Sequence, residues 1–274
     1  MKVTLITATY NRRSTVGDAI RSVLFQDYPD IEYLIMDGAS TDGTAEYVRE
    51  LLTHEAEEGA TPLIRKHARE ARVVSEPDKG MYEALNKGIH RAHGDVIGLV
   101  HSDDWLMSTD VVSHYVRCFD RIGADLVYAD GQFVDEHNPQ KLMRLWVSGS
   151  FRRWKVSLGW LPLHPTVYIR RAALNYEVLY DQQYRVAADT KFLIYYLHES
   201  PLRVGYLPRY VISMRMGGLS TNPQHSRRIW AEDVNIYRSF GFRAPRVLKV
   251  LKMGWKVPQF VNALFRRLHL PINI

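Results

Sequence analysis

Residues 96–100, Val-Ile-Gly-Leu-Val, are apolar throughout, and within three residues the run reaches two adjacent carboxylates, Asp103 and Asp104. A short apolar run of this kind reads as a parallel strand covered on both faces. In open α/β sheets ligands bind beyond the carboxyl ends of such strands, which is where both aspartates fall. Adjacent carboxylates repel unless a cation or a set of donors compensates them, and a hard divalent metal carrying phosphates does so. For a single Asp a helix N-cap or a turn would be the better reading. The pair, with the segments that precede it, favours metal and phosphate.

Those preceding segments repeat one plan. Residues 3–10 form a strand-like run that enters Asn11-Arg12-Arg13, after which Ser14 is positioned to cap a helix with Val16, Ile20, Val23 and Leu24 on one face. Residues 31–36 form a second strand ending in Asp37-Gly38-Ala39-Ser40-Thr41-Asp42-Gly43-Thr44, followed by a helix through Tyr47, Val48, Leu51 and Leu52. A short third strand, 72–75, runs into Glu76-Pro77-Asp78-Lys79-Gly80 and a helix from about Met81 to Ala92. Strands alternating with helices of this length imply a mainly parallel sheet, and right-handed crossovers bring all the loops to one edge. Two common phosphate motifs are excluded. Gly38 to Thr44 has the outer glycines of a Walker A loop, but Thr44 stands where its lysine belongs. No G-x-G-x-x-G follows the first strand, against a dinucleotide fold of the usual type.

Taken in order, Thr7-Ala8-Thr9-Tyr10-Asn11-Arg12, Asp37 through Thr44, Ser75 through Gly80, Gly94-Asp95 through Asp103-Asp104, and Ala188-Asp189 resemble the inverting nucleotide-sugar glycosyltransferases of family 2, of bacterial cell-surface polysaccharide type. The resemblance spans most of residues 1–220. It implies the GT-A fold, a Rossmann-like α/β architecture with a mainly parallel sheet flanked by helices. It also implies transfer of a sugar from a nucleotide donor, expected to be a UDP-sugar, to a glycan or polyprenyl-linked acceptor, assisted by Mn²⁺ or Mg²⁺. By the same resemblance Asp104 holds the metal and Asp103 lies near the ribose or shares that site. Asp37, Thr9, Tyr10, Asp78 and Lys79 approach the nucleotide, and Asp189 is the general base that deprotonates the acceptor. Spacing alone would make Asp189 an N-cap, Asp37 a turn residue and Lys79 a solvated charge; Asp42 reads as a cap for the following helix. His164, before a proline, is open between an acceptor or metal contact and a loop hydrogen-bonder. Arg215 is open between phosphate and solvent. Residues 214–220, with Gly217 and Gly218, read as a mobile loop able to exclude water.

Other classes fit less well. A sugar nucleotidyltransferase needs a glycine-rich basic loop near the N-terminus, and residues 9–13 contain no glycine. A non-catalytic sugar-binding module has no use for Asp37, Asp103, Asp104 and Asp189 together. A pI near 9.3 suits nucleic acid, but no recognition motif accompanies it, so no nucleic-acid partner is expected. Cys118 is the single cysteine, which rules out an internal disulfide and agrees with a cytoplasmic location. The N-terminal apolar run breaks at Asn11-Arg12-Arg13, too soon for a signal peptide, and no segment has the apolar length of a membrane span.

The expected organisation is a catalytic domain over 1–222 and a helical, basic, amphipathic extension over 223–274. After Asp233 no acidic residue occurs, while Arg238, Arg243, Arg246, Lys249, Lys252, Lys256, Arg266 and Arg267 accumulate. Leu248, Leu251 and Trp255 fall at helical spacing beside the row Lys249, Lys252 and Lys256, and Phe260, Val261, Leu264, Phe265 and Leu268 continue the apolar face. Such a stretch suits either an anionic membrane interface, here the inner face of the cytoplasmic membrane, or a helix packed on the domain with its basic face in solvent.

Overall fold

A computed structural model describes residues 1–218 and 225–269, the side chains of 265–269 excepted. Leu219 and Ser220 of the expected lid, and the side chains of Phe265, Arg266, Arg267 and Leu268 in the tail, therefore lie outside the described residues.

The first half is the expected alternation. Strands β1 (Val3–Thr9), β2 (Ile31–Asp37), β3 (Arg72–Ser75) and β4 (Val96–Leu99) pair in parallel in the order β3-β2-β1-β4. Helices α1 (Val16–Leu24), α2 (Thr44–Glu58), α3 (Pro62–Glu70) and α4 (Met81–Arg91) connect them. Every residue of β1 and β2 is buried, as a strand covered on both faces requires. The apolar face of α1 packs Val16, Ile20, Val23 and Leu24 into the core against one side of the sheet, while Leu85 and Ile89 of α4 enter a second core on the other side. Helix α1 starts at Val16, with Thr15 rather than Ser14 at its N-cap position and no side-chain cap bond.

The second half is mixed. It contains β5 (Asp104–Leu106), α5 (Val111–Ile122), β6 (Leu126–Val134), β7 (Leu142–Trp146), α6 (Arg153–Val156), β8 (Tyr168–Arg170), α7 (Ala188–Ile194) and β9 (Val204–Arg215). The sheet continues from β4 through β8, β6, β9 and β5, with β7 also paired to β6. Strand β8 is antiparallel to β4 and β6, β9 parallel to β6, and β5 antiparallel to β9. Gly98 lets β4 approach β8: a Cβ there would sit 2.5 Å from the Tyr168 ring, which itself stacks on Tyr115 at 3.8 Å. The chain closes with α8 (Ser226–Ser239), α9 (Pro245–Gly254) and α10 (Val257–His269). Helix α9 lies against α8, and α10 lies across β7, burying Ala263 against Leu142 and Leu145.

Candidate active site

Two loops, at the carboxyl ends of β1 and β2, are locked to one another. Among the described residues, Asn11 at φ 51° and Ala39 at φ 58° are the two non-glycine residues with left-handed backbone, a conformation that is strained for alanine and held only by its surroundings. Asn11 Oδ1 accepts from the Thr41 amide at 2.9 Å, the Asn11 amide donates to Ser40 Oγ at 2.9 Å, and the Arg12 amide donates to Thr44 Oγ1 at 2.9 Å. Asp42 Oδ1 accepts from the Thr44 amide at 3.0 Å, a turn bond just before α2, but Gly43 and not Asp42 holds the N-cap position of that helix.

These loops open one wall of a cleft of about 980 Å³, lined among others by Thr9, Tyr10, Gly38, Ala39, Asp78, Lys79, Asp103, Asp104, His164, Asp189 and Arg215. All but one of the sequence candidates therefore come together. Asp37 is the exception. Only 2% exposed and outside the lining, it accepts from Ser40 and Ser75, with Ser75 Oγ at 2.6 Å, so its carboxylate braces the turn behind Gly38 and Ala39. Asp78 lies over Gly38, where a Cβ would meet its Oδ2 at 2.6 Å. Tyr10 and Lys79 are exposed at the rim, and Thr9 keeps a buried hydroxyl without a hydrogen-bond partner.

The two carboxylates do not end β4. That strand stops at Leu99; the chain turns through residues 101–103, with the Asp104 amide donating to the His101 carbonyl at 3.0 Å, and Asp104 opens β5. Asp104 is 1% exposed, and its Oδ2 has no hydrogen-bond partner. Burial, then the neighbouring Asp103 charge, raise its carboxyl well above the usual range. A buried carboxylate oxygen without a donor fits a hard divalent cation. Among the described residues no cluster of three or more His, Cys, Asp or Glu forms a metal cage, so a cation here would take its other ligands from a bound diphosphate and water.

Arg215 is neither exposed nor a free phosphate partner. It donates to the Asp103 carbonyl at 2.8 Å and to Asp18, and its guanidinium lies 4.6 Å from the centre of the Trp105 ring. His164 begins a tight turn over residues 164–166, where its Nε2 pairs with the Tyr180 hydroxyl at 2.7 Å. Burial, with His101 beside it, pushes its pKa down to about 3, so the imidazole is neutral at physiological pH.

Asp189 is the second residue of α7 and does not cap it. No side chain caps it; Glu232 of α8 instead accepts from the amides of Arg185, Val186 and Ala187, in the segment leading into the helix, at 2.9–3.1 Å. Asp189 Oδ1 accepts from the Thr190 amide at 2.7 Å and faces the Tyr82 hydroxyl at 3.5 Å. Burial raises its pKa; Asp233 adds to the rise, while Lys252 and Lys256 oppose it.

The C-terminal helices correct one expectation. The row Lys249, Lys252 and Lys256 faces the cleft, not solvent or lipid. Lys249 and Lys252 both donate to Asp233 of α8, Lys252 at 2.9 Å, and Lys252 also reaches Thr190 Oγ1 at 2.7 Å. The physical reason is the buried carboxylate: Asp233 is 0% exposed and needs cations beside it. The outward row is apolar, with Val247, Val250, Met253, Val257, Phe260, Val261 and Leu264 each at least 43% exposed. Sequence reasoning also missed Arg144 and Trp146 on β7, which line the cleft from a segment whose pattern matched no motif.

Residues 4–179 match the family model described as Glycosyl transferase family 2. An uncharacterized glycosyltransferase of Mycobacterium tuberculosis is 33% identical over 116 residues, covering 42% of this chain and 38% of the relative. TuaG of Bacillus subtilis, described as a putative teichuronic acid biosynthesis glycosyltransferase, is 30% identical over 148 residues, 51% of this chain and 54% of the relative. The chain thus spans about half or less of the length of these curated relatives. Among solved structures, S. aureus TarS 1-349 in complex with UDP-GlcNAc aligns with a TM-score of 0.64 at 18% identity, covering 96% of this chain and 80% of that one. A mannosyltransferase from Pyrobaculum calidifontis in complex with GDP-Man and Mn²⁺ aligns at 0.61 and 17% identity, covering 99% and 76%. At such identities the likeness speaks for the fold, the curled mixed sheet of GT-A glycosyltransferases.

Proposed function

Because this chain belongs to glycosyltransferase family 2, we propose that its cleft transfers a sugar from a nucleotide-sugar donor, with inversion, to a glycan or lipid-linked acceptor of a cell-surface polysaccharide. The observation that carries the reading is Asp104: a buried carboxylate with a free oxygen, raised in pKa, at the mouth of the loops that end β1 and β2. A group so costly to ionise in isolation is explained by a cation that it ligates.

Asp104, with Asp103 beside it, is the proposed ligand of Mn²⁺ or Mg²⁺, as the Mn²⁺ in the Pyrobaculum mannosyltransferase complex makes plausible. When bound, the metal supplies Lewis-acid stabilisation of the negative charge on the departing nucleoside diphosphate. Thr9, Tyr10, Asp78 and Lys79 are the proposed nucleoside contacts. Asp37 acts one step back, fixing the turn that carries Gly38 and Ala39. The TarS complex with UDP-GlcNAc supports a UDP-sugar as donor.

Asp189 is the proposed general base. Its raised pKa brings it closer to that of a hydroxyl nucleophile and so favours proton removal over a fully solvated carboxylate. As the acceptor oxygen bonds to the anomeric carbon, its proton passes to Asp189, and the electron pair of the breaking glycosyl–phosphate bond leaves on the diphosphate from the opposite face. Neutral His164 and Arg215 are positioning residues here, the latter tying Asp103 to α1. We assign residues 1–222 to catalysis and 223–274 to an extension that completes the cleft, in a cytoplasmic enzyme peripheral to the membrane. The test is donor hydrolysis and donor binding over a panel of UDP- and GDP-sugars, with and without Mn²⁺. Turnover of at least one donor that requires the metal is expected; absence of metal-dependent binding across the panel overturns the assignment.

A further inference from the structure

The cleft has a second charged end, away from Asp104. A row of directly paired residues crosses four strands: Asp104 of β5 opposite Met214 of β9, Met214 opposite Phe133 of β6, and Phe133 opposite Arg144 of β7. Directly paired residues share a face of the sheet, and all four line the cleft. Three strand spacings put Arg144 about 14 Å along the sheet from Asp104. A diphosphate held through a metal at Asp104 would stay beside that residue, so Arg144 stands at least a sugar's width further along the sheet, and Lys256 beside it is among the charges that act on Asp189, the proposed base.

Arg144 is built into place. It is 5% exposed, and its guanidinium lies against two aromatic rings, 4.4 Å from the centre of Trp146 and 4.8 Å from that of Phe133. Its Nε donates to Gln259 Oε1 at 2.5 Å, and its Nη2 has no partner among the described residues. Beside it, Lys256 makes no ion pair with any described carboxylate, although Lys249 and Lys252 share Asp233. Burial, and then the neighbouring cations Lys252, Arg144 and Lys249, lower the Lys256 pKa to about 8. Four basic side chains, Arg144, Lys249, Lys252 and Lys256, thus face two carboxylates, Asp189 and Asp233, in a buried setting where unpaired charge is costly. A phosphate ester offsets the surplus, carrying up to two negative charges and acceptor oxygens that match a guanidinium fork.

We propose that Arg144 and Lys256 form an anion subsite on the acceptor side of the cleft, and that the acceptor carries a phosphate close to the hydroxyl that is glycosylated. The proposal rests on the glycosyltransferase reading for the word acceptor, while the subsite itself rests on the residues alone. The probe is methyl phosphate, titrated calorimetrically into protein saturated with UDP (or GDP, if that binds instead) and Mn²⁺. One site is expected in the wild type. Arg144→Lys and Lys256→Met should each weaken it at least tenfold, with nucleotide affinity changed less than twofold. Lys256→Met keeps a long apolar stem and so tests the site even if substitutions at Arg144 disturb folding. No methyl phosphate binding to the loaded wild type, or an equal loss of nucleotide affinity in the variants, assigns these cations to the donor diphosphate and overturns the proposal. Tighter binding of glucuronate than of methyl phosphate overturns the choice of phosphate. Failure to bind any nucleotide with Mn²⁺ counts against the glycosyltransferase reading, and methyl phosphate titrated into nucleotide-free protein still decides the subsite.

Discussion

Asp104 and Asp189 are both buried carboxylates with raised pKa, and they predict opposite consequences when neutralised. Asp104→Asn should abolish metal-dependent nucleoside diphosphate binding, read by calorimetry, while stabilising the metal-free fold at neutral pH. The sign follows from linkage. A carboxyl whose folded pKa lies above its unfolded value of about 3.9 favours folding only while protonated, so its contribution is complete below that value and is lost as pH rises through the folded pKa. The stability gain of Asp104→Asn over wild type in chelator should therefore vanish near pH 4 and grow toward pH 7; a destabilised variant at pH 7 would remove the argument. Asp189→Asn should instead lower turnover by roughly a hundred- to ten-thousand-fold with donor affinity kept. Because Lys252 holds the Asp189 pKa down, Lys252→Met should move the acidic limb of the pH–rate profile to higher pH. An unmoved limb would assign that limb to another group. Asp104 is legible as one of a pair of carboxylates after an apolar run, a local signal, whereas Asp189 is reached only through the family resemblance, since spacing alone makes it an N-cap. Arg144 was not, because its role comes from a row across four strands, and no local pattern encodes register between strands so distant in the chain.

At the scale of elements, the first four strands and the helices α1, α2 and α4 were legible because period and turn chemistry are local, and the loops after β2 and β3 carry their own glycines and aspartates. The mixed second half was not. Strands β5 and β8 are three residues each, too short to show a period, and the antiparallel placement of β8 depends on Gly98 admitting the Tyr168 ring. The start of α7 shows the same limit: the segment leading into it, where Asp189 looks like a cap, is held by Glu232 of α8, 45 to 47 positions on from the amides it accepts. The next residue of α8, Asp233, holds α9 through Lys249 and Lys252. One helix therefore both seats the catalytic loop and anchors the tail. Asp233→Asn leaves two buried ammonium groups without their counter-charge, a change that typically costs about 3–5 kcal/mol. Thermal unfolding should show a large loss in Tm, and Asp233→Glu should recover part of it. A Tm within about 1 °C of wild type, where 1 kcal/mol shifts a domain of this size by a few degrees, would mean that the ion triad does not hold α9.

At the scale of the whole molecule, the charge surplus of +6 reads differently once its location is known. Part of it, the row Lys249, Lys252 and Lys256, lines the cleft, where Lys249 and Lys252 pair with the buried Asp233. What faces outward from α9 and α10 is an apolar strip through Val250, Met253, Val257 and Leu264, each half or more exposed, with Arg243 and Arg246 exposed nearby. Exposed apolar strips of this extent call for a partner surface, and the flanking arginines suit an anionic lipid surface. No helix among the described residues is long and apolar enough to cross a membrane, so the contact would be interfacial. Binding then depends on apolar insertion, worth up to about 2 kcal/mol for each fully buried side chain, more than on charge. Sedimentation with anionic vesicles should retain the wild type at low salt and, in large part, at high salt. Val250→Gln combined with Val257→Gln should release it, with donor hydrolysis in solution unchanged. Wild-type protein that stays in the supernatant at low salt would leave the strip to another protein surface. A release by high salt alone would assign the contact to the arginines and not to the strip.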